Sequence, residues 1–77
     1  MSEKAVIIKI LQTVKPTLDL SNVKDIIDGG YLNSLELLGL INELSEQFGV
    51  EIGVERISRE NFNSVDAIVK MIAQLKK

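Results

Sequence analysis

Aliphatic residues recur at three- and four-residue spacing in three separate stretches of this chain, and that period commits it to amphipathic helices that each bury one stripe against the others. In the first stretch, Glu3 to Val14, the stripe is Val6, Ile7, Ile10, Leu11 and Val14. Pro16 ends it, because proline brings no N–H to the helix and pushes Lys15 towards extended conformations. The second stretch is the best bounded: Asn33 is a good N-cap, Glu36 sits at the N3 position of a capping box, and Gly49 supplies a stop, so a helix is predicted from Ser34 to Phe48. Its stripe reads Leu35, Leu38, Ile41, Leu44 and Phe48, widened by Leu37 and Leu40, with Glu36, Asn42, Glu43 and Glu46 at more polar positions. In the third, Asn63 is expected to cap with Asp66 at N3, and Val65, Ile68, Val69, Ile72 and Leu75 to be buried; Lys70, Lys76 and Lys77 suit a C-terminal end, where the helix dipole favours cations.

The connections are unequal. Residues 17–32 form a long one whose Leu18, Leu20, Val23, Ile26 and Ile27 imply that it packs over the helices, with one helical turn expected within Asn22 to Ile27 and the Gly29-Gly30 pair closing it. Residues from Val50 to Ile57 read as loop, and Ser58 to Phe62 has room only for a short helix. No stretch makes a convincing strand. The expected architecture is therefore all-α, three main helices plus one short one with a long first loop, and the 77 residues suffice for one domain, residues 1–77. With 45% hydrophobic but only 4% aromatic residues, the core must be aliphatic.

Charge and residue types exclude much chemistry. Residues 19–51 hold seven acids against the single base Lys24, a net −6 flanked by segments of +2 on either side, so the middle of the chain attracts basic surfaces and repels phosphate backbones. Nucleic acid is not an expected partner. The apolar start, Met1 to Lys9, is too short and too interrupted by Lys4 and Lys9 for a signal peptide or membrane span. The chain has no cysteine, which fits a reducing compartment, and the cytoplasm is the expected location. Without histidine or cysteine there is no Ser-His-Asp triad, no thiolate nucleophile and no ordinary zinc site, so autonomous catalysis is not expected and no metal is implied.

What remains is Ser34, a primary hydroxyl in the first turn of a well-capped helix, directly after a glycine-containing loop. Unpaired N–H groups and the positive end of the helix dipole favour an anion there. No base in the chain is placed to activate the hydroxyl, so another enzyme would use it as a substrate group. Judged alone, a serine at such a place more often simply helps to start its helix.

Context favours more. The run from Asp28 to Leu37, DGGYLNSLEL, resembles the attachment site of acyl and peptidyl (aminoacyl) carrier proteins, whose core is Asp-Ser-Leu after a Gly/Leu-rich approach; Asn33, Ser34 and Leu35 fill that core. The resemblance continues through Phe48-Gly49, Glu51-Ile52, Ile57 and the Glu60 to Val65 run, nearly the whole chain. It implies an acyl-carrier-like four-helix bundle, with Ser34 as the acceptor of a 4′-phosphopantetheine arm drawn from coenzyme A. It further implies that Leu35 is an apolar contact for partner enzymes, that Glu36, Glu43 and Glu46 steer the protein to basic patches, and that Ile52 and Ile57 line the groove sheltering cargo. From the residues alone, Ile52 and Ile57 are equally well ordinary core. The partners implied are a phosphopantetheinyl transferase, an acyl- or aminoacyl-activating ligase, and a downstream synthase or transferase, each met by a monomeric carrier.

Two departures from the family pattern stand out. Asn33 replaces the usual Asp, keeping the cap but losing a charge beside the attachment point. Gly39, Asn42 and Ser45 thin the acidic or apolar face typical of fatty-acid carriers, which points to a specialised aminoacyl, D-alanyl or secondary-metabolite system. Gly39 inside a helix costs about 1 kcal/mol relative to Ala, and the close approach of a partner or a neighbouring helix would account for it. The alternative from another class is an unmodified helical interaction module.

Overall fold

The helix α1 spans Glu3–Val14, the bounds that its stripe and Pro16 predict, with Ser2 as N-cap accepting the Ala5 N–H at 3.2 Å. A second helix, α2, spans Ser34–Phe48, again as the capping box and Gly49 require; Gly49 lies in the left-handed region at φ 63°, where a residue without Cβ carries no penalty. A 3-10 turn over Val54–Arg56, the short helix α3 over Arg59–Phe62 and the last helix α4 over Val65–Leu75 complete the order. This computed structural model describes residues 2–76, and the expected role of Lys77 at the end of α4 lies outside them.

Helix α1 packs on both α2 and α4, and α3 packs on α4. The interior is built from Ile7, Ile10 and Leu11 of α1, Leu40, Ile41 and Leu44 of α2, Phe62 of α3, and Val65, Ile68, Met71 and Ile72 of α4. No polar or charged side chain is buried among the described residues. The long connection contributes Leu20 and Ile26, 2% and 0% exposed, while Val23, Ile27, Tyr31 and Leu32 pack against the core from outside. Each fully buried aliphatic side chain contributes on the order of 1.5–3 kcal/mol, so the connection is held down as firmly as a helix turn. Leu18, at 42% exposure, is its one apolar residue left out.

Several expectations need correction. The α2 stripe turns on Leu37, Leu40, Ile41, Leu44 and Phe48, leaving Leu35 and Leu38 at the surface, 80% and 54% exposed. With apolar residues on more than half of the helix circumference, the periodicity did not decide which edge faces inward. The run read as loop after Val50 contains the 3-10 turn. Helix α4 is capped by Ser64, whose Oγ accepts the Ala67 N–H at 3.1 Å, and Asn63 instead closes α3. The helical turn expected within Asn22 to Ile27 falls later, where Gly29 N–H meets the Asp25 carbonyl at 2.6 Å. At the far end of the bundle, Lys76 bonds Glu3 at 2.7 Å and lies 5.9 Å from the centroid of the Phe48 ring, tying the end of α4 to α1 and α2. Lys70 is exposed midway along α4, short of the last turn where a cation was expected.

Candidate functional site

The approach to α2 is a turn closed by glycines. Gly30 N–H donates to the Ile27 carbonyl at 3.1 Å and Tyr31 N–H to the Ile26 carbonyl at 3.2 Å, the paired bonds that commonly finish a helix, with Gly30 at φ 68°. At Gly29 a Cβ would lie 2.5 Å from the Tyr31 ring and 2.8 Å from the Asp25 carbonyl, so the backbone there can come close only without a side chain. The two glycines are thus required for different reasons, one by conformation and one by space.

Three residues later the helix starts. Asn33 Oδ1 accepts the Glu36 N–H at 2.8 Å and Glu36 Oε1 accepts the Asn33 N–H at 2.9 Å, a complete capping box. Lys15, just past the end of α1, reaches Glu36 with Nζ 3.2 Å from Oε1 and 3.1 Å from Oε2. The bond from the Asn33 N–H, then the bond from Lys15, hold the Glu36 carboxyl below its ordinary value. Ser34 sits between these partners, exposed at the first position of α2 and not needed for the cap. Its own N–H and that of Leu35 have no acceptor within the helix and lie at the positive end of its dipole.

The other site residues divide. Leu35, next to Ser34, is 80% exposed, and Leu38 stands 54% exposed one turn on. A Cβ on Gly39 would meet nothing within 4 Å, which removes a neighbouring helix of this chain as the reason for that glycine. Of the three acids, Glu46 alone is fully exposed. Glu36 is engaged by Lys15, and Glu43 lines a groove of about 210 Å³ between α1 and α2 together with Val6, Lys9, Ile10, Thr13 and Gln47. Ile52 is half-buried and packs against the core, whereas Ile57 is exposed, as is Val54 on the 3-10 turn. Lys15 was not legible as a member of the site: nothing in the sequence marks a lysine as the partner of a glutamate twenty-one positions on.

This arrangement can offer a hydroxyl but cannot activate it. Among the described residues no group of three His, Cys, Asp or Glu side chains could hold a metal ion. Also among the described residues, no helix is long and apolar enough to cross a membrane. An anionic group on Ser34 Oγ has room in solvent and favourable electrostatics from the helix end, worth about 0.3–1 kcal/mol, so the residues present fit a phosphodiester there.

Comparison with known proteins accords with this geometry. A sequence profile described as "Phosphopantetheine attachment site" matches residues 4–72. The chain is 36% identical over 59 residues to a D-alanyl carrier protein of Streptococcus uberis, covering 74% of this chain and 75% of that one. It is also similar to the D-alanyl carrier protein of Streptococcus sanguinis, 30% identical over 78 residues with 99% and 98% of the two chains covered, and to that of Streptococcus pyogenes serotype M5, 33% identical over 52 residues, 68% and 66% of the two chains.

Proposed function

Because this chain belongs to the phosphopantetheine-attachment family of carrier proteins, we propose that Ser34 Oγ is the point at which its prosthetic group is joined, and that its cargo is a D-alanyl group. The protein is a carrier and not an enzyme, and 4′-phosphopantetheine is its prosthetic group. That group supplies a terminal thiol that holds cargo as a thioester at the end of a flexible arm. The rest is the work of the chain's own residues. Ser34 Oγ attacks the pantetheine-side phosphorus of coenzyme A, the pyrophosphate P–O bond breaks with adenosine 3′,5′-bisphosphate as the leaving group, and the serine proton goes to a base on the transferase, since this chain has no histidine or cysteine to take it. Asn33 and Glu36 hold the helix start rigid around it. Leu35 and Leu38 give partner enzymes an apolar foothold beside the arm, and Glu46 adds a weak, salt-sensitive attraction to basic patches. Ile52 and Ile57 would line the groove that shelters the cargo. Residues 1–77 act as one carrier unit that meets in turn a phosphopantetheinyl transferase, an aminoacyl-activating ligase and a transferase that accepts the cargo.

The observation that carries this reading is the exposed hydroxyl at the first position of α2, left free by a cap built from its neighbours. D-Alanine as cargo is supported by the full-length similarity to proteins named as D-alanyl carriers and by the face of α2 that Gly39, Asn42 and Ser45 leave without charge. Incubation of the unmodified protein with coenzyme A and a promiscuous transferase is expected to add one phosphopantetheinyl mass to the wild type and none to Ser34→Ala. An unchanged intact mass of folded wild type refutes the assignment of Ser34. The modified protein should then accept D-alanine from a D-alanine-activating ligase and ATP; loading by a fatty-acyl ligase alone would refute the cargo.

A further inference from the structure

Asn63 does something that no cap requires. Its side-chain oxygen accepts the Ile27 N–H at 2.9 Å and the Asp28 N–H at 3.1 Å, its Nδ2 donates to Asp28 Oδ2 at 3.1 Å, and its backbone carbonyl accepts the Ile26 N–H at 2.9 Å. The amide can stand only one way round: turned over, it would aim its NH2 at two donors and its oxygen at a carboxylate. Arg59 of α3 adds a loose second hold on Asp28, with Nη1 3.8 Å from Oδ1. One residue at the junction of α3 and α4 therefore satisfies three consecutive backbone donors of a segment that has neither helix nor strand to satisfy them.

The tethered segment is the start of the glycine turn that delivers the chain to Ser34. Ile26 is fully buried and its carbonyl accepts the Tyr31 N–H, so whatever fixes Ile26 to Asp28 also fixes where Tyr31, Leu32 and the α2 cap begin. Within Asn22 to Asp25, Val23 N–H reaches the Leu20 carbonyl at 3.2 Å and the Asp25 carbonyl accepts the Gly29 N–H at 2.6 Å. Without Asn63 the three N–H groups of Ile26 to Asp28 would lose their acceptors, leaving the turn held by the burial of Ile26, the packing of Val23, Ile27, Tyr31 and Leu32 and the loose Arg59 contact.

We propose that Asn63 is a positioning residue for modification: by tethering Ile26 to Asp28 it fixes the approach to Ser34 in the conformation that the phosphopantetheinyl transferase binds. It acts through the turn, its bonds going to Ile26, Ile27 and Asp28 and not to the hydroxyl. The inference rests on Ser34 being the attachment point, as proposed above. Its signature is a raised transferase KM with little change in kcat when the tether is removed, because a mobile approach lowers the population of the bindable form and not the rate once bound.

The test is a side-chain exchange. In Asn63→Asp the new carboxylate can still accept both N–H groups but faces the Asp28 carboxylate, so the tether should fail at neutral pH. In the double variant Asn63→Asp with Asp28→Asn, the donor and acceptor trade places and every bond can re-form. With coenzyme A and transferase, Asn63→Ala and Asn63→Asp at pH 7 should each raise KM about five- to tenfold, roughly 1–1.4 kcal/mol of lost binding, and the double variant should recover most of it. Amide exchange should show the Ile26, Ile27 and Asp28 N–H groups losing protection in the single variants while Ile10 and Leu44 keep theirs. An unchanged KM in both single variants, or a double variant as impaired as the singles, overturns the proposal. If Asn63→Ala does not fold, the comparison of Asn63→Asp with the double variant decides alone. A wild type that accepts no prosthetic group would sink the Ser34 reading instead; the exchange pattern of the Ile26 to Asp28 amides then decides whether Asn63 tethers the turn.

Discussion

Gly39 offers the most informative single substitution. It lies within α2, more than one turn from Ser34, where glycine costs about 0.8–1.0 kcal/mol relative to alanine through the backbone freedom it surrenders. A methyl group there would meet nothing within 4 Å, so no steric cost offsets the gain. Gly39→Ala should therefore stabilise the isolated protein by about 1 kcal/mol, which for a domain of this size is a rise of about 4–8 °C in Tm. Urea unfolding should report the same gain as a midpoint moved up by about 0.5–1 M, at unchanged slope. Thermal and urea unfolding followed by circular dichroism measure both quantities. A midpoint that stays put or falls would falsify the argument, since it would mean that the space beside Gly39 is filled or that α2 is not helical there. The same variant then separates stability from use. If a partner packs closely on this part of α2, beside exposed Leu35 and Leu38, transferase or ligase kcat/KM should drop while Tm rises. Turnover unchanged in a more stable protein would leave the glycine with no role in partner approach.

Two further outcomes follow from the interior and from the helix start. Phe62 is 1% exposed and is the largest fully buried side chain, so Phe62→Ala should cost about 3–5 kcal/mol, a large part of the stability available to so small a domain, and calorimetry should find its transition strongly lowered or absent. The Glu36 carboxyl is bonded to the Asn33 N–H and to Lys15, which holds its proton affinity below that of an ordinary glutamate. The stabilisation it gives is complete above about pH 4.5 and is lost as the pH falls through the lowered folded value; Glu36→Gln should flatten the acid side of a Tm-against-pH curve, and an unaltered acid limb would show that the box and the Lys15 bond contribute nothing.

Much of this architecture was legible from local chemistry. The bounds of α1 and α2 follow from Pro16, the Asn33 and Glu36 box and Gly49, because caps and stops act through bonds between residues three to five apart. The exposure of Ser34 followed for the same reason. What escaped the sequence depends on distant partners. Asn63 and Ser64 are both good caps standing side by side; Ser64 caps α4 because the amide of Asn63 is claimed by Ile27 and Asp28, thirty-six and thirty-five positions away. Glu36 was legible as the acid of the capping box but not as the partner of Lys15, which the fold brings across from the end of α1. Leu35 and Leu38 read as core because the leucines of α2 cover so much of its circumference, and only the placing of α1 decides which of them face solvent.

The capping box has an effect beyond holding a helix together. Since Asn33 and Glu36 finish the first turn between them, a bulky substituent on Ser34 Oγ, the attachment proposed above, would undo nothing in the cap, and neither would its removal. The bare, armed and loaded proteins can thus share a single backbone. On that proposal a partner enzyme would have to tell them apart by the arm and its cargo, since the scaffold itself would carry no record of whether it is full.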